Sequence, residues 1–377
     1  MFEGKKLVCP VNHKNNFSNL FSFKKFPIYM GVVKKNFKSE FQDLNFKINK
    51  SSGSVQIHPR VPLKKLYFKS HGSGTIGSVW QKHHKNFIKF IMPAFKGQII
   101  EIGGGHNSVS QSLKNIRIKK KYMLTSFEIN SNIRSKKNHR LIKDFFSNKY
   151  IKSKIGKIDL VIHSHLFEHI YDPQKFLKEI NSSLKDKGLH IFTVPNLRIM
   201  IKNGYANAMN FEHPYFLEEK MIDYLLKANN FKILKKKKYL NHSIFYKTQK
   251  VKKKEKTLKY NNFSQNQKIF SKFKQSLLND INYINKKILD QNKVYLFGAH
   301  IFSQFLLFNG LNSKNLSYII DNDKKKHFQY LYGTNLKVLS PSILKKDYKP
   351  TIILRAAQYN KEIKKQILKI NKTAKFI

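Results

Sequence analysis

Twice in this chain a β-rich run stops at glycine and gives way to a helical pattern. The first is QIIEIGGGHN (98–107) followed by SVSQSL; the second is VYLFG (294–298) followed by AHIFSQFLLFNG. A strand that ends in a glycine turn and feeds a helix is the opening of a crossover unit, and such units build mainly parallel sheets. Further strands are expected after each. YMLTSFEI (122–129), IDLVIHS (158–164) and GLHIFTVP (188–195) follow the first turn, with the helical FLKEINSSL between the last two; LSYIIDND (316–323) and PTIILRAAQ (350–358) follow the second. The fold class read from this alternation is α/β, with two nucleotide-fold-like units.

The remaining segments mark boundaries. Residues 1–78 hold short apolar runs such as FPIYMGVV, broken by Gly53, Pro59 and Pro62, and end in a loop with Gly72, Gly74 and Gly77. They read as a small N-terminal domain. A helix is expected over Val79–Phe90, and the first α/β unit runs over 79–250. Within 251–290, Phe270, Phe273, Leu277, Ile281, Ile284 and Ile288 recur every three or four residues, which predicts an amphipathic linker helix. The second unit occupies 291–377. The lysine-rich stretch 235–259 reads as a solvated edge strand and a linker.

Composition narrows the function. A length of 377 residues allows two or three domains, and 41% hydrophobic residues exclude a mostly disordered chain. The one cysteine, Cys9, excludes a disulfide scaffold and a multi-cysteine zinc site; His13 beside it makes only two ligands. The longest uncharged run, Val294–Ser313, is interrupted by polar residues and glycines and is not a membrane span. With no secretory signal at MFEGKKLVCP, the chain is expected to be soluble and cytoplasmic. The net charge of +51 points to a polyanionic partner or to compositional drift. Lysines are spread over every segment and arginine is scarce, so drift is preferred and nucleic acid is not selected as the partner.

The turn Glu101-x-Gly103-Gly104-Gly105 carries the strongest chemical signal. Glycines let backbone amides approach a ligand closely, but Asn107 stands where a dinucleotide fingerprint places its third glycine. The spacing suits S-adenosylmethionine, which has no pyrophosphate. Glu128 ends the second strand, where a carboxylate accepts from ribose hydroxyls. Asp144 and Phe145 follow, suited to an adenine amino group and ring face. The second glycine turn has only Gly298, a poor pyrophosphate cradle.

These residues, with LFEHIYDPQKFLKEINSSLKDKGLHIFTVPN (166–196), resemble the class I S-adenosylmethionine-dependent methyltransferases over about residues 95–250. CPVN with FPIYMG, NFEHPYF (210–216) and the stretch from FGAHIFSQFLL to VLSPSIL extend the likeness to the three-domain nucleotide-sugar C-methyltransferases. The resemblance implies a class I methyltransferase Rossmann-like core, a small N-terminal domain of the zinc type and a C-terminal Rossmann-like domain. The cofactor it implies is S-adenosylmethionine, held by Glu101, Gly103, Gly104, Gly105, Glu128, Asp144 and Phe145. The substrate it implies is a nucleotide-linked keto sugar, methylated on carbon through an enolate in surface polysaccharide or deoxysugar biosynthesis.

The catalytic candidates are His213 as base, Glu212 orienting it, and His169 and Tyr67 beside the substrate. Two departures stand out. The zinc cysteines are missing, so no metal is expected, and Asn210 occupies the place of a common tyrosine two positions before Glu212. Each candidate has a plainer structural reading: Glu212-His213 capping a helix from Pro214, Tyr67 as a buried aromatic, and adjacent His83 and His84 split between core and solvent. O-methylation of a sugar or small metabolite also fits His213. A basic nucleic-acid-binding protein is the reading from another class.

Overall fold

The structure, a computed structural model, describes residues 7–69, 77–104, 109–113, 118, 120–129, 135, 137–252 and 259–377. Near the N-terminus, β1 (Phe17–Pro27), β2 (Phe41–Asn49) and β3 (Val55–Ile57) form an antiparallel sheet in that order. No thiolate cluster anchors it. Cys9 is buried with its thiol against Ser52 Oγ at 3.2 Å, and His13 is exposed. Phe23, Phe26, Ile28 and Val32 are all buried, so apolar packing contributes to the core of this domain.

The central sheet has seven strands: β4 (Gly97–Ile102), β5 (Tyr122–Phe127), β6 (His139–Ile142), β7 (Ile158–Ser164), β8 (Leu184–Pro195), β9 (Phe231–Tyr239) and β10 (Ser243–Lys250). Their order is β9-β10-β8-β7-β4-β5-β6. The five from β8 to β6 are parallel, and β10 inserts antiparallel between β8 and β9. The chain starts in the middle at β4, winds out to β6 and returns across β4 to β7. Ligands bind at the carboxyl ends of strands flanking such a reversal. The short β6, with only four residues, carried too little pattern to be read from sequence. The exposed Lys235–Lys238 lie on β9, the sheet edge, as expected for solvated charge.

The third sheet is parallel throughout: β11 (Val294–Phe297), β12 (Leu316–Ile320), β13 (Val338–Leu339), β14 (Thr351–Ile353) and β15 (Lys375–Phe376), ordered β13-β12-β11-β14-β15. Its own reversal lies between β11 and β14, beyond Gly298 and Leu354.

Helices fill the spaces between sheets. α1 (Ser78–Ile91) buries His83, Phe87, Ile88 and Ile91. α2 (Pro173–Ser183) is capped by Asp172, whose carboxylate accepts from the Lys175 amide, with proline in its first turn. α3 (Glu219–Ala228) precedes β9. α4 (Phe263–Ile288) buries the predicted stripe of Phe270, Phe273, Ile281, Ile284 and Ile288. α5 (Ile301–Phe308) and α6 (Asn360–Ile370) flank the last sheet.

The sheets share packing. Phe305 on α5 meets Phe23 at 5.2 Å and Phe26 at 4.8 Å, ring centre to ring centre. Val32 and Val33 pair antiparallel with Leu331 and Tyr330. Gln304 Nε2 donates to the Tyr29 and Tyr332 carbonyls. The N-terminal segment therefore bridges the other two units and brings its own side chains to the site.

Candidate active site

One cavity of about 890 Å³ opens where all three units meet. On one wall, β4 delivers Glu101, Gly103 and Gly104. Gly103 has φ +67°, and a Cβ there would lie 3.0 Å from Leu166 Cδ1, so the turn needs glycine. Gly105 lies outside the described residues. Glu101 is buried, and its carboxylate accepts from the Val109 amide and, at 2.8 Å, from Ser126 Oγ. It thereby ties the short helix Val109–Ser112 to β5. Glu128, just past β5, lines the same cavity. A cradle with no Cβ and a carboxylate at the next strand end fit the amino-acid and ribose parts of S-adenosylmethionine. Asp144 and Phe145 are exposed and not among the cavity residues; the Asp144 carboxylate accepts from the Phe145 amide at 2.7 Å. They do not join the other cofactor candidates in this structure.

Across the cavity stand the four catalytic candidates. Tyr67 comes from the N-terminal segment, His169 from the loop after β7, and Glu212 and His213 from the loop before α3. The Tyr67 hydroxyl is 3.0 Å from His169 Nδ1. His169 Nδ1 is 3.9 Å from Glu212 Oε2, and the His169 and His213 rings meet edge to face at 4.6 Å. Burial pushes the Tyr67 phenol well above its ordinary pKa, and the nearby Glu212 charge adds to the rise. The phenol stays protonated and lies within hydrogen-bond distance of His169 Nδ1, with the direction of that bond set by the His169 tautomer. Glu168 is buried beside them, its pKa raised by desolvation.

The Glu212-His213 loop is not a helix cap. The next helix, α3, begins only at Glu219. Instead, the loop extends the N-terminal sheet: Ile57 donates to the Pro214 carbonyl at 2.8 Å and Phe216 to the Val55 carbonyl at 3.0 Å. Asn210 closes it from inside, its Oδ1 accepting from the Glu212 amide at 2.8 Å and the His213 amide at 3.2 Å. Asn210 is buried, so it serves the loop's shape where the resembled family has a tyrosine.

Sequence reading missed the histidines near the cofactor wall. His84 does not face solvent: it lines the cavity and stacks on Trp80 at 5.6 Å. His165 and His242 line it too, and Tyr359 arrives from the C-terminal unit. Among the described residues, seven of the chain's fifteen histidines line the cavity. No local spacing could announce them, because they come from a helix, a strand end and a hairpin turn. Charge is distributed unexpectedly as well. Despite the net +51, the described residues of the cavity include seven carboxylates against two cations, Lys326 and Arg355. Lys326 reaches Asp321 at 3.2 Å and Arg355 grips Asp280 with two bonds.

Two family models match stretches of the chain. Residues 80–236 match the family described as Methyltransferase domain, and residues 219–377 match the one described as C-methyltransferase C-terminal domain. With the strand order above, they define the class: the protein is an S-adenosylmethionine-dependent methyltransferase with a class I Rossmann-like core. More particularly, it is a methyltransferase with a C-methyltransferase C-terminal domain.

Solved structures resemble parts of the chain. A methyltransferase from Listeria monocytogenes is 12% identical over 46% of this chain and 100% of its own, with a TM-score of 0.35. One from Archaeoglobus fulgidus is 15% identical over 46% and 95%, at 0.36. The magnesium protoporphyrin IX methyltransferase of Synechocystis PCC 6803, solved with bound S-adenosylhomocysteine, is 14% identical over 48% and 90%, at 0.35. Scores of this size add nothing to the strand order and family matches. No curated protein matches the chain. No helix among the described residues is long and apolar enough to cross a membrane.

Proposed function

We propose that this methyltransferase alkylates carbon next to a ketone in a nucleotide-linked sugar, with His213 as the base. The observation that carries the reading is the Tyr67–His169–Glu212–His213 cluster, brought from separate units into the cavity that holds Gly103 and Glu128. When bound, S-adenosylmethionine supplies an electrophilic methyl on a sulfonium. His213 takes the acidic proton from the substrate carbon. The released electron pair moves onto the ketone oxygen, giving an enolate. Glu212, buried and 3.9 Å from His169 Nδ1, offsets the charge His213 gains. Protonated Tyr67 or an N–H of His169 stabilises the enolate oxygen.

The test is product analysis with a panel of nucleotide-linked keto sugars and methyl-labelled S-adenosylmethionine. Label on a carbon adjacent to the ketone, located by NMR, supports the reading. Label found only on hydroxyl oxygen overturns it in favour of O-methylation.

A further inference from the structure

His83, His165 and His242 form a compact triangle that the methyl-transfer reading leaves without a role. Their ring centres are 5.1, 5.4 and 5.4 Å apart, and one ring nitrogen from each lies within 4.8 Å of the other two. They come from α1, from the loop after β7, and from the turn between β9 and β10. Trp80 covers the triangle edge-on, 4.6–5.3 Å from each ring. His83 and His242 are buried and His165 is half-buried.

We infer that these three histidines bind a first-row divalent cation, zinc above others. Each ring already has a hydrogen-bond partner on one nitrogen, the arrangement that fixes the tautomer of a metal ligand. His83 Nε2 meets Thr193 Oγ1 at 3.2 Å, His165 Nδ1 meets Glu168 Oε1 at 3.3 Å, and His242 Nδ1 meets Ser243 Oγ. That leaves His83 Nδ1, which is buried with no hydrogen-bond partner, together with His165 Nε2 and His242 Nε2. The latter two now touch only hydroxyls, Ser243 at 2.9 Å and Tyr359 at 3.4 Å, contacts a metal displaces. His165 holds φ at +48°, a conformation unusual for a residue with a Cβ and one that aims its ring at the other two. Three neutral imidazoles are a zinc donor set, with the fourth position open to the cavity. Nitrogens bound to a tetrahedral zinc at about 2.1 Å lie roughly 3.4 Å apart, so nitrogens within 4.8 Å of one another must close by at most roughly 1.4 Å. The ion would fasten α1 to the sheet beside the cofactor turn. It is separate from a cysteine site, which the sequence excludes.

The test uses the full chain, stripped with chelator and then given zinc alone. Elemental analysis after gel filtration should find stoichiometric zinc, and titration with cobalt should give the absorption bands of a tetrahedral site. His242→Gln should abolish both. Thr193→Val keeps shape but removes the His83 partner, and should weaken affinity by about 10- to 100-fold. His213→Gln, in the other cluster of possible ligands (Glu168, His169, His213), should leave binding intact. Circular dichroism confirms that each variant is folded. Failure of the wild-type chain to retain zinc, or loss of zinc in His213→Gln but not in folded His242→Gln, overturns the assignment.

Discussion

At the residue scale, the site separates groups that do chemistry from groups that place them. His213→Asn keeps a polar side chain of similar size but cannot take a proton near neutral pH. Losing a positioned base costs on the order of 10²–10⁴ in rate. Cofactor affinity measured by calorimetry should not change, because the Glu212-His213 loop faces the turn at Gly103 from across the cavity. Asn210→Ala instead removes the acceptor that shapes that loop. It should lower turnover by displacing His213, and Asn210→Asp, which keeps the acceptor, should recover most of it. Gly103→Val should weaken S-adenosylmethionine binding, since φ of +67° and the 3.0 Å approach to Leu166 leave no room for a branched side chain. Unchanged calorimetric affinity in a folded variant would remove this turn from the cofactor site.

At the scale of elements, the long helix α4 joins the core of the N-terminal sheet to that of the C-terminal one. Phe270 is fully buried, 5.0 Å from the Phe216 ring and 6.0 Å from Phe46. Phe270→Ala should destabilise the protein by about 3–5 kcal/mol, read from denaturant unfolding. The helix was legible in the sequence because its 3.6-residue apolar period runs for seven turns. The glycine turns and most parallel strands were legible for a similar reason, as fully buried strands are continuous apolar runs. Less visible were β6, too short to carry a pattern, and the pairing of residues 214–216 with β3, whose partners lie far apart in sequence. The catalytic candidates were named through a family resemblance, and their spacing alone would not have joined Tyr67 to His169. Of the histidine triangle only His83 stood out in the sequence, as a possible ligand beside His84; its partners lie on elements that only the folded sheet brings together.

At the scale of the whole molecule, buried neutral histidines set the response to acid. His163 and His190 lie under the central sheet with their Nε2 atoms 2.9 Å apart, and burial holds His163 well below its ordinary pKa and His190 at about 3. His165 and His242 are also held at about 3. In the unfolded chain these groups bind protons below about pH 6.5, while in the folded chain they do not until near pH 3. The unfolded state therefore binds more protons across that window, and stability falls as pH drops through it. Each such histidine contributes on the order of 1 kcal/mol per pH unit. Thermal melts at pH 7, 6, 5 and 4 should show a steadily falling midpoint, and His190→Phe should flatten the fall. A midpoint constant down to pH 4 would contradict these depressed values.

The proposed enolate chemistry is tested most directly by proton exchange at the substrate carbon. The wild-type enzyme, given the keto-sugar nucleotide in deuterated water without S-adenosylmethionine, should wash deuterium into the position next to the ketone. His213→Asn should not, although it binds the cofactor as tightly as the wild type does. Exchange at the wild-type rate in His213→Asn would contradict the assignment of His213 as the base. A wild-type enzyme that methylates without exchange and places the methyl on oxygen would contradict carbon methylation itself.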